Sequence, residues 1–413
     1  MENSFKFIDL FCGIGGFHQA LSDLGGECVF ASDIDENCRN TYEENYGLKP
    51  AGDITQVDEK NIPKHDVLCG GFPCQSFSKA GNRMGISDPR GTLFFDIIRI
   101  AKYHKPKYLL LENVRNLSTH DNGRTWKTIH ENITALGYNV SENPIVFSPH
   151  NIGIPQYRQR VFILCKRKDL GAIPTFNFEV SKDKNECSIE HILQEDTEIE
   201  NLEKYKIEQH KYELINLWGE FIQNLKGKLP GFPVWADRLK ELDIEEDLDE
   251  NPKWKRNFII KNNQLYLDNK KFIDSWLKKA RTLENFHGSK AKFEWQAGQV
   301  ENPNIWETIM HFRPSGLRVK QPTYFPALVA ITHTSIIGER QRYLTPREGA
   351  RLQSFPDSLI LNKKDNVAYK QLGNSVNVEV VKLFAKFLLF NNEFNHKDYN
   401  LKSSSKKEMS IDY

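Results

Sequence analysis

From Phe5 to about residue 170, short apolar runs alternate with amphipathic stretches, the pattern of a parallel sheet wrapped by helices. Strands are predicted at FKFIDLF (5–11), CVFAS (28–32), DVLCG (66–70), YLLLE (108–112) and RVFILC (160–165), with helices between them. One helix starts at Gly91, where GTLFFDIIRIAKY sets Leu93, Ile97, Ile98 and Ala101 at helical spacing, and Pro106 stops it before the next strand. This half reads as doubly wound α/β. Beyond about residue 170 the alternation disappears, and six of the seven tryptophans fall between Trp218 and Trp306, interleaved with Lys and Arg, which marks a second domain. Short motifs resume near residue 340. VEVVKLFAKFLLF (378–390) is a strongly apolar helix whose natural home is the first domain. ELDIEEDLDE (241–250) reads as a solvated face turned away from any polyanion, and the polar tail from Lys402 as disordered. No internal repeat is visible.

Length and charge narrow the partners. A chain of 413 residues, 39% hydrophobic, can bury a full α/β core and leave sequence for a second domain. With 56 Lys and Arg against 55 Asp and Glu, the net charge of +1 requires any nucleic-acid surface to be a local basic patch. No apolar stretch reaches membrane-spanning length, and MENSFKFIDLF lacks the basic and apolar regions of a secretion signal, so a soluble, cytoplasmic protein is expected. Seven cysteines, all within the first 187 residues and without metal-type spacing, fit reduced thiols; no metal is expected.

The candidate chemistry lies at the ends of the predicted strands. FCGIGGF follows the first strand, and Gly13, Gly15 and Gly16 allow a tight turn close to a ligand, although the third glycine of the dinucleotide fingerprint is missing. Asp33 stands 20 residues after Gly13, where an acid commonly holds ribose hydroxyls, with Asp35 as its competitor. Asp53 and Ile54 could offer a polar group and an apolar wall to an adenine, although an ordinary turn explains Asp53 as well. In GGFPCQSFSKAG, Cys74 sits in a loop at the carboxyl edge of the sheet, and Pro73 fixes how the chain enters that loop. Its neighbours are polar, and Lys79, Arg83 and Arg90 could lower its thiol pKa, which makes it the candidate nucleophile. Glu112 ends the YLLLE strand, where a carboxylate needs a partner or a task. Arg158 and Arg160, two apart, point to one side of the chain and suit an anion or a polarised carbonyl, or ordinary ion pairs.

Read in order, FIDLFCGIGGF, GDITQV, GFPCQSFS, RGTLFFDI, ENV, QYRQR, LTPREGARLQSFPD and QLGNSVNVEVV resemble the ordered blocks of the cytosine-C5 DNA methyltransferases, over residues 5 to 165 and 342 to 390. The resemblance implies the S-adenosylmethionine-dependent methyltransferase fold, a doubly wound and mostly parallel sheet, with a second, smaller DNA target-recognition domain. It divides the chain into a catalytic and cofactor-binding domain at 1–170, completed by 365–395, a target-recognition domain at 171–364 with LTPREGARLQSFPD near its end, and a polar tail at 396–413. The family often has a Thr-Leu pair where this chain reads Ala327-Leu328.

By the same resemblance Cys74 attacks carbon 6 of a cytosine rotated out of the duplex, Glu112 binds the ring at N3, and Arg158 holds the base carbonyl, with Arg160 beside it. S-adenosyl-L-methionine is the implied cofactor. Phe11 stacks on its adenine between Ile34 and Ile54, Asp33 holds the ribose, and Gly13, Ile14, Gly15, Gly16, Asp53, Pro73, Leu93, Asn374, Ser375 and Val376 line the rest of the pocket. Gln75 to Gly91 would form a lid over the DNA, with Gln75, Ser78 and Arg90 as contacts. Arg313, Arg318 and Lys320 in HFRPSGLRVK are the candidate DNA contacts of the second domain. Double-stranded DNA is the expected partner of a monomer without an obligate protein partner, resembling the modification half of a bacterial restriction-modification system and associated with the nucleoid through DNA. Three alternatives are a tRNA cytosine methyltransferase on the same fold, a nicotinamide dehydrogenase and a non-catalytic DNA-binding module. The FPCQSFS block and the absence of a CFT element argue against the first; the incomplete glycine fingerprint and the Cys74/Glu112 pair argue against the second. The full set of catalytic blocks argues against the third.

Overall fold

A computed structural model describes residues 4–73, 92–173, 184–242, 251–329 and 335–390. Cys74, Gln75, Ser78, Arg90 and the rest of the expected lid lie outside the described residues, as do the tail and most of the acidic stretch. The chain divides into two units, one comprising Met1–Ser188, Pro326–Ile331 and Pro346–Tyr413, the other Ile189–Phe325 and Thr332–Thr345.

In the first unit the elements run β1 (Phe5–Leu10), α1 (Gly16–Ser22), β2 (Gly26–Ser32), α2 (Glu36–Tyr46), β3 (Val67–Gly71), α3 (Thr92–His104), β4 (Tyr108–Val114), α4 (Arg124–Ala135), β5 (Tyr138–Val140), β6 (Ile145–Phe147), β7 (Gln156–Tyr157) and β8 (Arg160–Arg167). The sheet order is β2-β1-β3-β4-β8-β5, with β6 also on β8. The first four strands are parallel, whereas β8 runs antiparallel to β4, β5 and β6. The five predicted strands and the helix after Gly91 are all present; the three-residue β5 and β6 are too short to leave a periodic signal.

Alternation along the strands sends successive side chains to opposite faces. Ile8, Leu10, Leu68, Leu109, Leu111, Val161 and Ile163 meet Phe94, Ile97 and Ile100 of α3 and Ile129 and Ile133 of α4 in one core cluster. On the other face the C-terminal helix Val378–Phe390 lies against α1, β4 and β8, and Phe384 stacks on Phe162 with ring centroids 4.4 Å apart. Burying a phenylalanine completely stabilises the fold by roughly 1.5–3 kcal/mol, so the apolar sequence of this helix is explained by its return to the first unit.

That return begins earlier than the expected residue 365, and the first boundary falls near 188 rather than 170. The block LTPREGARLQSFPD forms the helix Pro346–Leu352 within the first unit. The reason is local: buried Gln353 donates to the Leu372 carbonyl at 2.9 Å and accepts through its own backbone carbonyl from the Val378 N–H at 3.0 Å.

The second unit builds a six-stranded sheet from β9 (Val234–Trp235), β10 (Lys292–Gln296), β11 (Ile309–Arg313), β12 (Gly316–Lys320), Ile336–Ile337 and Arg342–Tyr343. Its core is aromatic. Trp218 of helix α5 (Gln209–Gln223) stacks on Phe293 at 4.8 Å and packs on Trp276 at 4.9 Å. Among the described residues no helix is long and apolar enough to cross a membrane.

The close pairing of β3 with β1 leaves no room at Gly70, where a Cβ would stand 2.6 Å from the Leu10 carbonyl oxygen. Gly70→Ala is expected to cost about 1–3 kcal/mol through overpacking, read as a lower denaturant midpoint at unchanged slope.

Candidate active site

The carboxyl ends of β1, β2, β3 and β4 open on one side of the sheet, where such folds bind ligands. After β1 the chain turns through Phe11, Gly13 and Gly15, all at positive φ (56°, 53° and 84°). That conformation is ordinary for glycine and costly for a phenylalanine, so the local fold holds Phe11 there against its preference. Gly15 also has no space for a side chain, since a Cβ would lie 2.2 Å from the Tyr46 ring. Asp33, just past β2, ties the loop down: one carboxylate oxygen accepts the Gly13 N–H and the other the Asp35 N–H, each at 2.8 Å. Burial raises the Asp33 pKa despite these bonds. Asp35 instead caps α2 through the Asn37 N–H and pairs with Lys370 at 2.9 Å, which lowers its pKa.

A cavity of about 450 Å³ opens over this edge, well within the range of small-molecule sites. Phe11, Gly13, Asp33, Ile34, Asp53, Ile54, Pro73, Leu93 and Asn374 line it together with Glu112, Arg158 and Arg160. Ile34 is 76% exposed, an apolar side chain left at the rim with nothing to cover it. Asp53 caps a short 3-10 turn, accepting the Thr55 N–H at 2.9 Å. Ile14, Gly15, Gly16, Ser375 and Val376 do not line this cavity. Ile14 is fully buried, and Gly16 admits the Val376 side chain, which would meet a Cβ at 2.6 Å. Val376 lines a small recess with Glu112, Arg158 and Arg160.

The polar end of the cavity centres on Glu112. Its register partner on β3 is Gly71, whose missing side chain leaves the carboxylate space; a Cβ there would come within 3.2 Å of it. Arg160 Nε lies 3.0 Å from the other carboxylate oxygen. Burial raises the Glu112 pKa above its ordinary 4.5, and the charges of Arg160 and Arg158 offset this only in part. Next to it Asn113 donates to the Phe72 carbonyl at 2.8 Å, fixing the chain two residues before Cys74.

The two arginines do different work. Arg158, which lines the cavity, donates to the carbonyls of Leu328 (2.7 Å), Gly373 (2.8 Å) and Ser375 (2.8 Å). Desolvation lowers its pKa to about 9, so it stays charged at neutral pH. Ser375 thus reaches the site through its backbone. Sequence reasoning missed Lys370, Gly52 and Gly373, which also line the cavity; nothing in their local pattern distinguishes them. In the second unit, Arg318 places its fork on Glu294, its register partner on β10, at 2.8 and 3.1 Å. Lys320 lies over the Tyr324 ring at 5.2 Å, and Arg313 is half-buried at the end of β11. The Arg318 guanidinium is thus paired with Glu294 across two adjacent strands and stays partly exposed.

The fold is one shared with solved methyltransferases. The chain superposes on the Dnmt2 methyltransferase of S. pombe with a TM-score of 0.54 at 21% identity, covering 94% of this chain and 100% of that one. The Entamoeba histolytica methyltransferase EhMeth gives a TM-score of 0.54 at 18% identity, covering 94% and 99%. More specifically, the chain belongs to the C-5 cytosine-specific DNA methylases, whose family profile it matches over residues 5–389. It is similar to the type II methyltransferase M.AluI of Cellulosimicrobium cellulans (35% identity, 92% of this chain and 90% of that protein). M.HhaI of Haemophilus parahaemolyticus (33%; 92% and 93%) and M.HpaII of Haemophilus parainfluenzae (35%; 94% and 90%) are similar over comparable lengths.

A carboxyl whose folded-state pKa lies above its unfolded value supports the fold below the unfolded pKa and loses that contribution as pH rises through the folded one. Glu112→Gln is therefore expected to gain thermal stability relative to the wild type as pH rises from 4.5 toward neutrality. A Tm difference that stays flat or reverses over this range contradicts the raised pKa. For Arg158→Lys, an ammonium cannot span three carbonyls in one plane. The loss of even one charged hydrogen bond should cost about 1.5–3 kcal/mol in chemical denaturation.

Proposed function

We propose that the protein transfers a methyl group from S-adenosyl-L-methionine to carbon 5 of a cytosine flipped out of duplex DNA, through a covalent bond between Cys74 and carbon 6. The observation that carries this reading is the pairing of Glu112 with Arg160 in the same cavity that Pro73, the residue before Cys74, lines. An uncovered apolar rim at Ile34, a phenylalanine held at positive φ and an open space beside Gly13 fit a planar adenine and its ribose. Phe11, Ile34, Ile54 and Leu93 would enclose the ring, Asp53 its polar edge, and Asp33 the ribose hydroxyls, since each Asp33 oxygen keeps a lone pair beyond its backbone bond. When bound, the cofactor supplies an electrophilic methyl group.

The protein's residues prepare the base to receive it. Glu112, whose burial favours the protonated carboxyl, donates to ring N3 and draws electron density from carbon 6. The Cys74 thiolate would add there, and the electron pair displaced onto carbon 5 would form the new carbon–methyl bond as the methyl's bond to the donor sulfur breaks, that bond's electron pair remaining on sulfur in a neutral thioether. Loss of the carbon 5 proton then restores the ring double bond and expels the thiolate, so a hard substitution proceeds in easier steps. Arg160 keeps the Glu112 carboxyl oriented, and Arg158 acts as a positioning residue that closes the cavity with Gly373 and Asn374. Flipping costs a few kcal/mol, offset by contacts in the pocket. The similarity to type II methyltransferases supports a role in protecting host DNA from a restriction enzyme.

Cys74→Ser is expected to abolish methyl transfer while cofactor binding, measured by calorimetry, persists, because a hydroxyl is far less acidic and less nucleophilic than a thiol. A duplex containing 5-fluorocytosine should trap the wild type covalently, since fluorine blocks the proton loss. Absence of the adduct, or methylation of tRNA in place of duplex DNA, would overturn the assignment.

A further inference from the structure

Between α2 and β3 the chain has no strand and no α-helix of its own. Residues 52–65 contain two 3-10 turns, Ile54–Gln56 and Glu59–Asn61, each capped from within by an aspartate: Asp53 accepts the Thr55 N–H and Asp58 the Lys60 N–H, both at 2.9 Å. Backbone hydrogen bonds tie this segment to the sheet only at its ends, where Ala51 bridges to Ser32 and the Asp66 N–H donates to the Lys6 carbonyl at 2.8 Å. Asp53 and Ile54 nevertheless line the cavity, so their position matters to whatever binds there. Local caps fix the shape of a turn but not its place.

Helix α3 supplies the place. Among the described residues, every hydrogen bond from 52–65 to the rest of the chain goes to Arg99 or His104. The Arg99 guanidinium serves both turns: Nη2 donates to the Ile54 carbonyl at 2.7 Å and Nη1 to the Glu59 carboxylate at 2.8 Å, while Nε donates to Asp96 at 2.8 Å. Asp96 lies one turn earlier on α3 and is buried, with its second oxygen unpartnered among the described residues, so it holds the cation in place. The buried Ile54 side chain shares a core cluster with Phe94 and Ile97. Apolar packing is non-directional and leaves the turn free to rotate about that anchor; the bond from Arg99 to the carbonyl removes this freedom. One helix thus sets two walls of the cavity, Leu93 directly and Ile54 through Arg99, which does not itself line it.

We infer that Arg99 is a positioning residue for recognition of the cofactor's base: by holding the Ile54 carbonyl it aims the Asp53 carboxylate at the exocyclic amine of adenine, and so sets a preference for an adenosyl over an inosyl cofactor. The inference rests on the reading of the cavity as an S-adenosyl-L-methionine site. One Asp53 oxygen accepts the Thr55 N–H, and the other has no partner among the described residues. That second oxygen can accept from an amine, whereas the carbonyl of hypoxanthine at the same position presents another acceptor and leaves both unsatisfied. A site built for a hydrogen bond rejects the analogue that lacks the donor far better than apolar contact can. Because such a bond weakens steeply with misalignment, the preference depends on where the turn stands.

The test is calorimetric binding of S-adenosylhomocysteine and S-inosylhomocysteine, which carry no transferable methyl group, to the full chain. The wild type is expected to prefer the adenosyl compound by about tenfold or more. Arg99→Lys keeps a cation beside Asp96, but one ammonium cannot also reach the Glu59 carboxylate and the Ile54 carbonyl. It should weaken adenosyl binding about tenfold and leave inosyl binding within about twofold, collapsing the preference. Asp53→Ala should collapse it to the same extent, and Arg99→Lys/Asp53→Ala no further, since residues acting through one contact are not additive. In turnover, Arg99→Lys should raise the KM for S-adenosyl-L-methionine at a kcat near that of the wild type. Glu59→Gln, which removes the ion pair but spares the Ile54 bond, should keep the preference. Equal weakening of both compounds by Arg99→Lys, additive losses in the double variant, or a preference lost in Glu59→Gln would overturn the inference, as would a wild type that binds both compounds alike. A wild type that binds neither sinks the reading of the cavity beneath it.

Discussion

Arg158 holds together parts of the chain that lie more than 150 residues apart. Its guanidinium is buried and donates to the carbonyls of Leu328, Gly373 and Ser375. Burying such a cation carries a desolvation penalty, visible in a pKa lowered to about 9, and its Nε has no partner among the described residues. Three carbonyl acceptors offset part of that penalty only while the returning segment stays in place. The coupling works in both directions: the charge is tolerable because the C-terminal segment closes over it, and the segment is held because the charge demands acceptors. Gly373 and Asn374 form a wall of the cavity beside Arg158 itself, so the site depends on this clamp.

Arg160, two residues further on and therefore on the same side of the chain, meets a different environment. It stands where β8 begins, opposite Val114 on β4, and its Nε lies against Glu112. One arginine organises backbone and the other organises a carboxyl, and the spacing of two lets both serve one cavity from one strand edge. Glu112 sits between opposing demands: desolvation favours its neutral form, the neighbouring cations its charged form. A carboxyl balanced in this way can present a proton to a ring nitrogen without being an ordinary surface acid.

Much of the first unit was legible in the sequence because its causes are local. Period-two apolar strands, a helix stopped before Pro106 and a glycine turn after β1 each follow from residues within a few positions of one another. The cavity-lining residues Asp33, Ile54, Pro73 and Glu112 were reachable for the same reason, since they stand at or just beyond predicted strand ends, whereas Phe11 and Leu93 entered only through the family resemblance. Long-range pairing was not legible. The division of roles between Arg158 and Arg160 depends on which carbonyls arrive from 328 and 373–375, and the fork of Arg318 was taken by Glu294 across two strands. The boundary at Pro346 likewise depends on Gln353 finding partners near Leu372 and Val378.

The tryptophans of the second unit show how one compositional signal can hold two physical causes. Trp218, Trp276 and Trp295 are buried in an aromatic core that substitutes bulk for the regular alternation missing from this half, Trp306 packs at its margin, and Trp235 meets the Phe258 ring. Their indole N–H groups find partners: Trp218 donates to the Lys290 carbonyl, Trp276 to that of Leu217 and Trp295 to that of Gly298. A core of this kind fits the loss of regular alternation of apolar runs between about residue 170 and residue 340, because a few large rings do the work of many small apolar residues. Trp254 does not fit that explanation. It is 64% exposed on a helix whose inner face is locked by Asn262, so its place in the sequence owes nothing to the aromatic core.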